Sequence, residues 1–83
     1  MGKIIEMTGS PKPVAKTKEV FLAMLAQYGF TQNKMSKKNN IVDILVTDSK
    51  ESKTTKMKLA EELGIEIMTY EELAELYSLE YDE

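Results

Sequence analysis

The chain has no cysteine, no histidine and no tryptophan, and all eleven of its basic residues are lysine. Without thiols there are no disulfides, no thiolate metal ligands and no cysteine nucleophile. Without imidazole the commonest general base is missing too. Carboxylates, hydroxyls, phenols and ammonium groups are what remains for chemistry. No apolar run approaches the roughly 20 residues of a membrane span, and Met1-Gly2-Lys3 leads into a short apolar strand instead of a secretory signal. The chain therefore reads as intracellular and soluble, in the cytoplasm of a bacterium or host cell, or in the nucleus of a eukaryote.

At 83 residues the sequence reads as one domain spanning 1–83, with 78–83 a frayed acidic tail. A chain of this size buries only roughly 60 to 65 per cent of its unfolded surface. One modest core, and no deep cavity walled by two lobes, fits that length, so a recognition module is expected rather than a complete enzyme. The net charge of −3 is unevenly spread. Residues 1–60 hold all eleven lysines against five acids, a net +6, and residues 61–83 hold nine acids and no base, a net −9. Such polarity lets an acidic protein offer a basic face to an anion, and it suits two solvated faces equally well.

The stretch 42–68 organises the rest. Ile44-Leu45-Val46 does not alternate, as expected of a strand covered on both faces in a parallel sheet. Lys56 to Leu63 supplies a crossover helix with Met57, Leu59, Ala60 and Leu63 on one stripe. Gly64 stands where a left-handed residue would end that helix, and Glu66-Ile67-Met68 returns as the next strand. Upstream, residues 3–7 form a first strand, and 8–13, with Gly9, Pro11 and Pro13, a loop. That loop lacks both the Gly-Lys-Ser/Thr ending of a Walker loop and the repeated glycines of a dinucleotide fingerprint. Thr17 caps a helix to Tyr28, with Val20, Phe21, Met24, Leu25 and Tyr28 on one face. Residues 30–36 alternate weakly as an edge strand. Thr69-Tyr70-Glu71-Glu72 has the form of a capping box opening a last helix, with Tyr70, Leu73, Leu76 and Tyr77 toward the sheet. The tyrosines 28, 70 and 77 are expected half-buried, each with its hydroxyl in water. Strands joined by helical crossovers are parallel, so the expected fold is α/β: a small four-stranded parallel sheet flanked by three helices.

Thr8-Gly9 after the first strand, the glycine closing the first helix, LVTD in the central strand, SKTTK before the second helix, and AEELGIEIM followed by EEL together resemble a BRCT domain over nearly the whole chain. The likeness is to the single BRCT module of NAD-dependent DNA ligases and of the replication factor C large subunit. It implies the strand order 2-1-3-4 and a non-catalytic role in DNA replication or repair, without cofactor or metal. It also implies a phosphate held by Thr8, Gly9, Lys16 and Lys56, either the 5′-phosphate end of DNA at a nick or recessed end, or a phosphoserine in a partner protein. A hydroxyl, a backbone N–H and an ammonium beside a helix N-terminus are suitable phosphate donors.

Lys12, Thr54, Thr55, Lys37 and Lys38 are further candidates for DNA contact. Each has a plainer reading beside it: Thr54 and Thr55 as helix caps, Lys37 and Lys38 as a solvated turn, Lys12 as a solubilising loop residue, and Thr8-Gly9 as a strand-ending turn. Four departures from the family pattern stand out. Lys16 replaces a frequent arginine, exchanging a forked contact for a point charge. Phe30 replaces a second glycine, residues 39–41 are inserted, and Leu73 replaces a bulky aromatic. Three readings of function follow: a DNA-end module serving a ligase or clamp loader, a protein-interaction module for a phosphorylated or unmodified partner, and a detached accessory domain or subunit of an NAD-dependent ligase. A monomer or weak homodimer fits each. Adjacent pairs such as Glu61-Glu62 and Glu71-Glu72 diverge on a helix, unlike a facing acid/base pair, so no catalytic constellation is expected.

Overall fold

The computed structural model describes residues 3–12, 14–51 and 54–80. Along the chain run β1 (Ile4–Met7), α1 (Lys18–Ala26), β2 (Thr31–Gln32), β3 (Ile44–Thr47), α2 (Thr55–Leu63), β4 (Glu66–Thr69) and α3 (Tyr70–Leu76). The four strands form one sheet, all pairings parallel, in the order β2-β1-β3-β4. The fold is α/β, with the expected strand order and three helices.

The order dictates which helix covers which face. From β1 the chain steps one way to β2, and from β3 it steps the other way to β4. Right-handed crossovers in opposite directions put their helices on opposite faces. α1 and α3 accordingly pack with Ile5, Met7, Ile44 and Val46 through Phe21, Leu25, Tyr70, Leu73 and Ala74. α2 covers the other face, with Met57 and Ala60 against Leu45. The helixless link from β2 to β3 moves in the same direction as β3 to β4 and shares α2's face: Met35 packs into that second cluster, and Lys37 pairs with Glu62 of α2 at 3.6 Å.

Local signals account for the helix ends. Thr17 and Thr54 cap α1 and α2 by accepting from the amides of Val20 and Met57, and Gly64 ends α2 at φ 71°. At α3 the capping box is complete: Thr69 Oγ1 accepts from the Glu72 amide, and Glu72 accepts from the Thr69 amide. Glu72 also pairs with Lys50 at 2.9 Å. The Lys50 hydrogen bond first, and the Thr69 amide second, hold its carboxyl below the ordinary 4.5. A lowered folded value adds stability above the unfolded pKa that is lost as pH falls through the folded one. Because the group is exposed, the ion pair itself is largely screened. Glu72→Gln keeps the reciprocal cap bond, which glutamine also makes, and removes only the screened ion pair. It should therefore cost no more than about 0.5 kcal/mol at neutral pH, a difference that disappears at acid pH where the carboxylate is protonated in both states, when urea melts are compared at the two pH values.

Three expectations are corrected. The edge strand expected over 30–36 pairs only at Thr31 and Gln32. Phe30 turns into the core against Tyr77, ring centroids 5.2 Å apart, and after the Asn33 amide bonds Ile5 O the chain leaves the sheet toward α2's face. Leu76 is exposed; the buried stripe of α3 is Tyr70, Leu73 and Ala74, continued by half-buried Tyr77. The region expected as a frayed tail is anchored as far as Leu79, whose amide bonds Ala74 O at 2.8 Å and whose side chain packs against the core; residues 81–83 lie outside the described residues. Among the described residues, no helix is long and apolar enough to cross a membrane.

Candidate functional site

In an open α/β sheet the crevice lies outside the carboxyl ends of the strands, where successive connections leave in opposite directions. Here that point is between β1 and β3. The β1–α1 loop departs on one face and the β3–α2 loop on the other. Both helices run back along parallel strands, so their N-termini lie at the same edge. Thr8, Gly9 and Ser10 follow β1 directly, Asp48 and Ser49 follow β3, and Thr54 and Lys56 open α2. The topology thus gathers Thr8, Gly9, Thr54 and Lys56 at one edge of the sheet.

The β1–α1 loop is held firmly. The Thr8 amide donates to Val46 O at 2.8 Å, and Pro11, Val14 and Ala15 are buried beneath the loop. The Tyr70 hydroxyl donates to the carbonyls of Thr8 and Gly9, at 3.0 and 3.5 Å. Against the expectation of a half-buried ring with a wet hydroxyl, Tyr70 is 2% exposed, its ring edge-on to Phe21 at 4.8 Å. Burial first, and the charge of Asp48 second, push its phenol well above the ordinary 10.0. Of the other two tyrosines in question, Tyr77 is half-buried and Tyr28 is exposed with its hydroxyl donating to Tyr77 O at 3.2 Å.

Two carboxylates not anticipated as part of the site lie among these donors. Gly9 adopts φ 75°, and a Cβ there would fall 2.5 and 2.7 Å from the two oxygens of Asp48 and closer still to its Cγ. The Asp48 carboxylate therefore lies flat on the glycine, in space that any other residue would occupy. Its Oδ2 accepts from the Ser10 amide at 3.4 Å and its Oδ1 from the Thr47 hydroxyl at 3.4 Å. The second carboxylate is Glu6, on β1's α2-facing side. Its side chain is 8% exposed, accepts from the Met35 amide at 3.2 Å and stands 3.6 Å from the ammonium of Lys56. By the alternation of the strand, Thr8 belongs to the same face as Glu6.

The remaining candidates divide. Lys16 is exposed one residue before the α1 cap, at the same edge but on the face opposite Lys56. Lys12 is exposed on the loop, its amide bonded to Ser10 Oγ at 3.4 Å. Thr54 performs the capping role and Thr55 is the exposed first residue of α2. Lys37 and Lys38 belong to the solvated turn, away from this edge, with Lys37 on Glu62. Two surface concavities lie elsewhere, one along α3 at Glu71, Ala74 and Glu75, the other beside α1 at Leu22, Ala23 and Ala26. Neither is lined by Thr8, Gly9, Lys16 or Lys56. Among the described residues, the crevice at the strand ends brings the Gly9-Ser10 backbone and Lys56 beside the carboxylates of Asp48 and Glu6.

Comparison of the chain with protein-family models, with curated proteins and with solved structures gives no match. The reading of function therefore rests on the residues and their arrangement.

Proposed function

We propose that this chain is a non-catalytic recognition module of BRCT type that binds a phosphate group, the 5′-phosphate end of DNA at nicks or recessed ends, and serves a DNA ligase or clamp loader. The observation that carries the reading is the convergence of Thr8-Gly9-Ser10 and the Lys56 end of α2 on the reversal point between β1 and β3, the place where sheets of this kind bind ligands. Gly9 lets the backbone approach an anion without a side chain between them. Lys56 supplies positive charge near the unpaired amides of a nine-residue helix. Lys16, on the face opposite Lys56, does not share the phosphate with it. Exposed Lys12 is the loop lysine suited to a flanking backbone phosphate, and contacts of that kind position a duplex without reading its sequence.

Few phosphates are neutralised in this scheme. The salt dependence should be shallow, about −2 to −3 in log K against log salt, and affinity modest. Lys56→Ala should weaken binding of a 5′-phosphorylated nicked duplex roughly tenfold, the size of one charged hydrogen bond. It also leaves the buried Glu6 carboxylate without its ion pair, so thermal stability should fall as well, and binding is compared at a temperature where both proteins are folded. Amide shifts of Thr8, Gly9 and Lys56 followed during titration report the site directly. Equal affinity for the duplex lacking the 5′-phosphate refutes this reading. A response at the same amides to a phosphoserine peptide, but not to its unmodified twin or to DNA, would transfer the site to protein recognition.

A further inference from the structure

We propose that Asp48 is an intramolecular competitor for that phosphate: in the free protein its carboxylate occupies the place on the Gly9-Ser10 backbone that the ligand takes, and it must swing out for the ligand to bind. The inference rests on the phosphate-binding reading and names what tunes it.

The carboxylate lies where an anion belongs. It covers a glycine of positive φ and accepts from the next amide, so it takes the backbone donor that an anion on this loop would use. Its hold is weak in geometry and in charge. Both of its hydrogen bonds are 3.4 Å long, beyond the usual ranges of about 2.7–3.2 Å for the N–H···O bond from Ser10 and about 2.5–3.0 Å for the O–H···O bond from Thr47, and both donors are neutral. Glu6, Glu62 and Glu72 each pair with a lysine, whereas Asp48 has no ion pair among the described residues. It is also exposed, so its carboxylate can return to water.

Departure would leave little unsatisfied. The Thr47 hydroxyl, which has one proton to give, lies 3.2 Å from Ser49 O as well as 3.4 Å from Asp48, so it keeps an acceptor. The loop itself is pinned by Tyr70 at Thr8 and Gly9 and stays shaped for the incoming group. A phosphate monoester brings up to two charges and three acceptor oxygens, against one charge and two long bonds. Asp48 thereby sets how tightly a terminal phosphate is held, because the cost of displacing it is subtracted from that ligand's binding free energy.

The test compares the full chain with Asp48→Asn, which keeps the shape and removes the charge, and with Glu51→Gln, which removes one charge from the same loop at an exposed residue. Each is titrated with a nicked duplex carrying a 5′-phosphate, with the same duplex lacking it, and with inorganic phosphate. Asp48→Asn should bind the 5′-phosphorylated duplex about five- to tenfold tighter, leave the unphosphorylated duplex little changed so that the preference for phosphorylated DNA widens, and shift the Ser10 amide resonance in the absence of ligand. Glu51→Gln should do much less. Wild-type binding that depends on Lys56 and the 5′-phosphate but is unchanged, or equally tightened, by Asp48→Asn and Glu51→Gln overturns the competitor and leaves the phosphate site standing. Failure of both the wild type and Asp48→Asn to distinguish the two duplexes overturns the phosphate reading and the competitor with it.

Discussion

Replacing Tyr70 with alanine should remove roughly half of the protein's folding free energy and lower its melting temperature accordingly. The side chain is 2% exposed at the junction of β4 and α3, packed edge-on against Phe21. Truncating a buried aromatic to alanine costs about 3–5 kcal/mol, against a total of about 4–12 kcal/mol for a chain of this length at typical stability per residue. Tyr70→Phe separates the packing from the hydroxyl. It keeps the ring but leaves the Thr8 and Gly9 carbonyls short of a donor, a loss of about 1–2 kcal/mol. The hydroxyl also predicts a pH dependence. Because burial raises the folded phenol's pKa, the fold favours the neutral ring. That stability is complete below the unfolded value of roughly 10 and is lost as pH rises above it. Urea melts between pH 8 and pH 11 should show the wild type losing its advantage over Tyr70→Phe at the alkaline end. An unchanged gap across that range would mean that the phenol is not held neutral by the fold.

Tyr70 also marks where sequence reasoning succeeds and where it stops. The Thr-x-x-Glu box locates the start of α3 because capping depends on residues three apart. Hydrophobicity favours Leu76 over Ala74 for the helical stripe, whereas the packed face at 70, 73, 74 and 77 has room for a small side chain against the sheet. The parallel strands are legible from their apolar runs and the crossover helix between them. The short edge strand is not, because a chain end pairing at two residues is set by what the next segment must reach, here Met35 beneath Glu6. The gathering of Thr8, Gly9 and Lys56 at one edge follows once β1 is placed beside β3. The Asp48 and Glu6 contacts are not legible in the same way. They join positions 39 and 50 residues apart and depend on side-chain direction at strand ends, which periodicity does not supply. One signal is available: an aspartate immediately after a buried central strand falls at the crevice of any sheet with this order.

The contact between Asp48 and Gly9 can be weighed without any ligand. Gly9→Ala meets two separate penalties. The left-handed backbone at φ 75° costs a residue with a Cβ about 1–2 kcal/mol, and the new methyl would overlap the Asp48 carboxylate, so that carboxylate is evicted or the loop shifts. Gly64 provides the calibration: it sits at φ 71° with nothing within 4 Å of the place an added methyl would take, so Gly64→Ala carries the backbone penalty alone. Gly9→Ala should therefore be the more destabilising of the two, by about 1 kcal/mol from the lost hydrogen bonds and the steric shift. In Gly9→Ala/Asp48→Ala the overlap is gone, and the glycine substitution should then cost about the same as at Gly64, a non-additivity of the size expected for residues in contact. If Gly9→Ala costs no more than Gly64→Ala, the carboxylate has no fixed place on the loop. If it costs more and the double variant relieves the difference, the anion position is real in the free protein. In that case the alanine methyl, filling the same space, should abolish binding of 5′-phosphorylated DNA even though the competing carboxylate has been displaced.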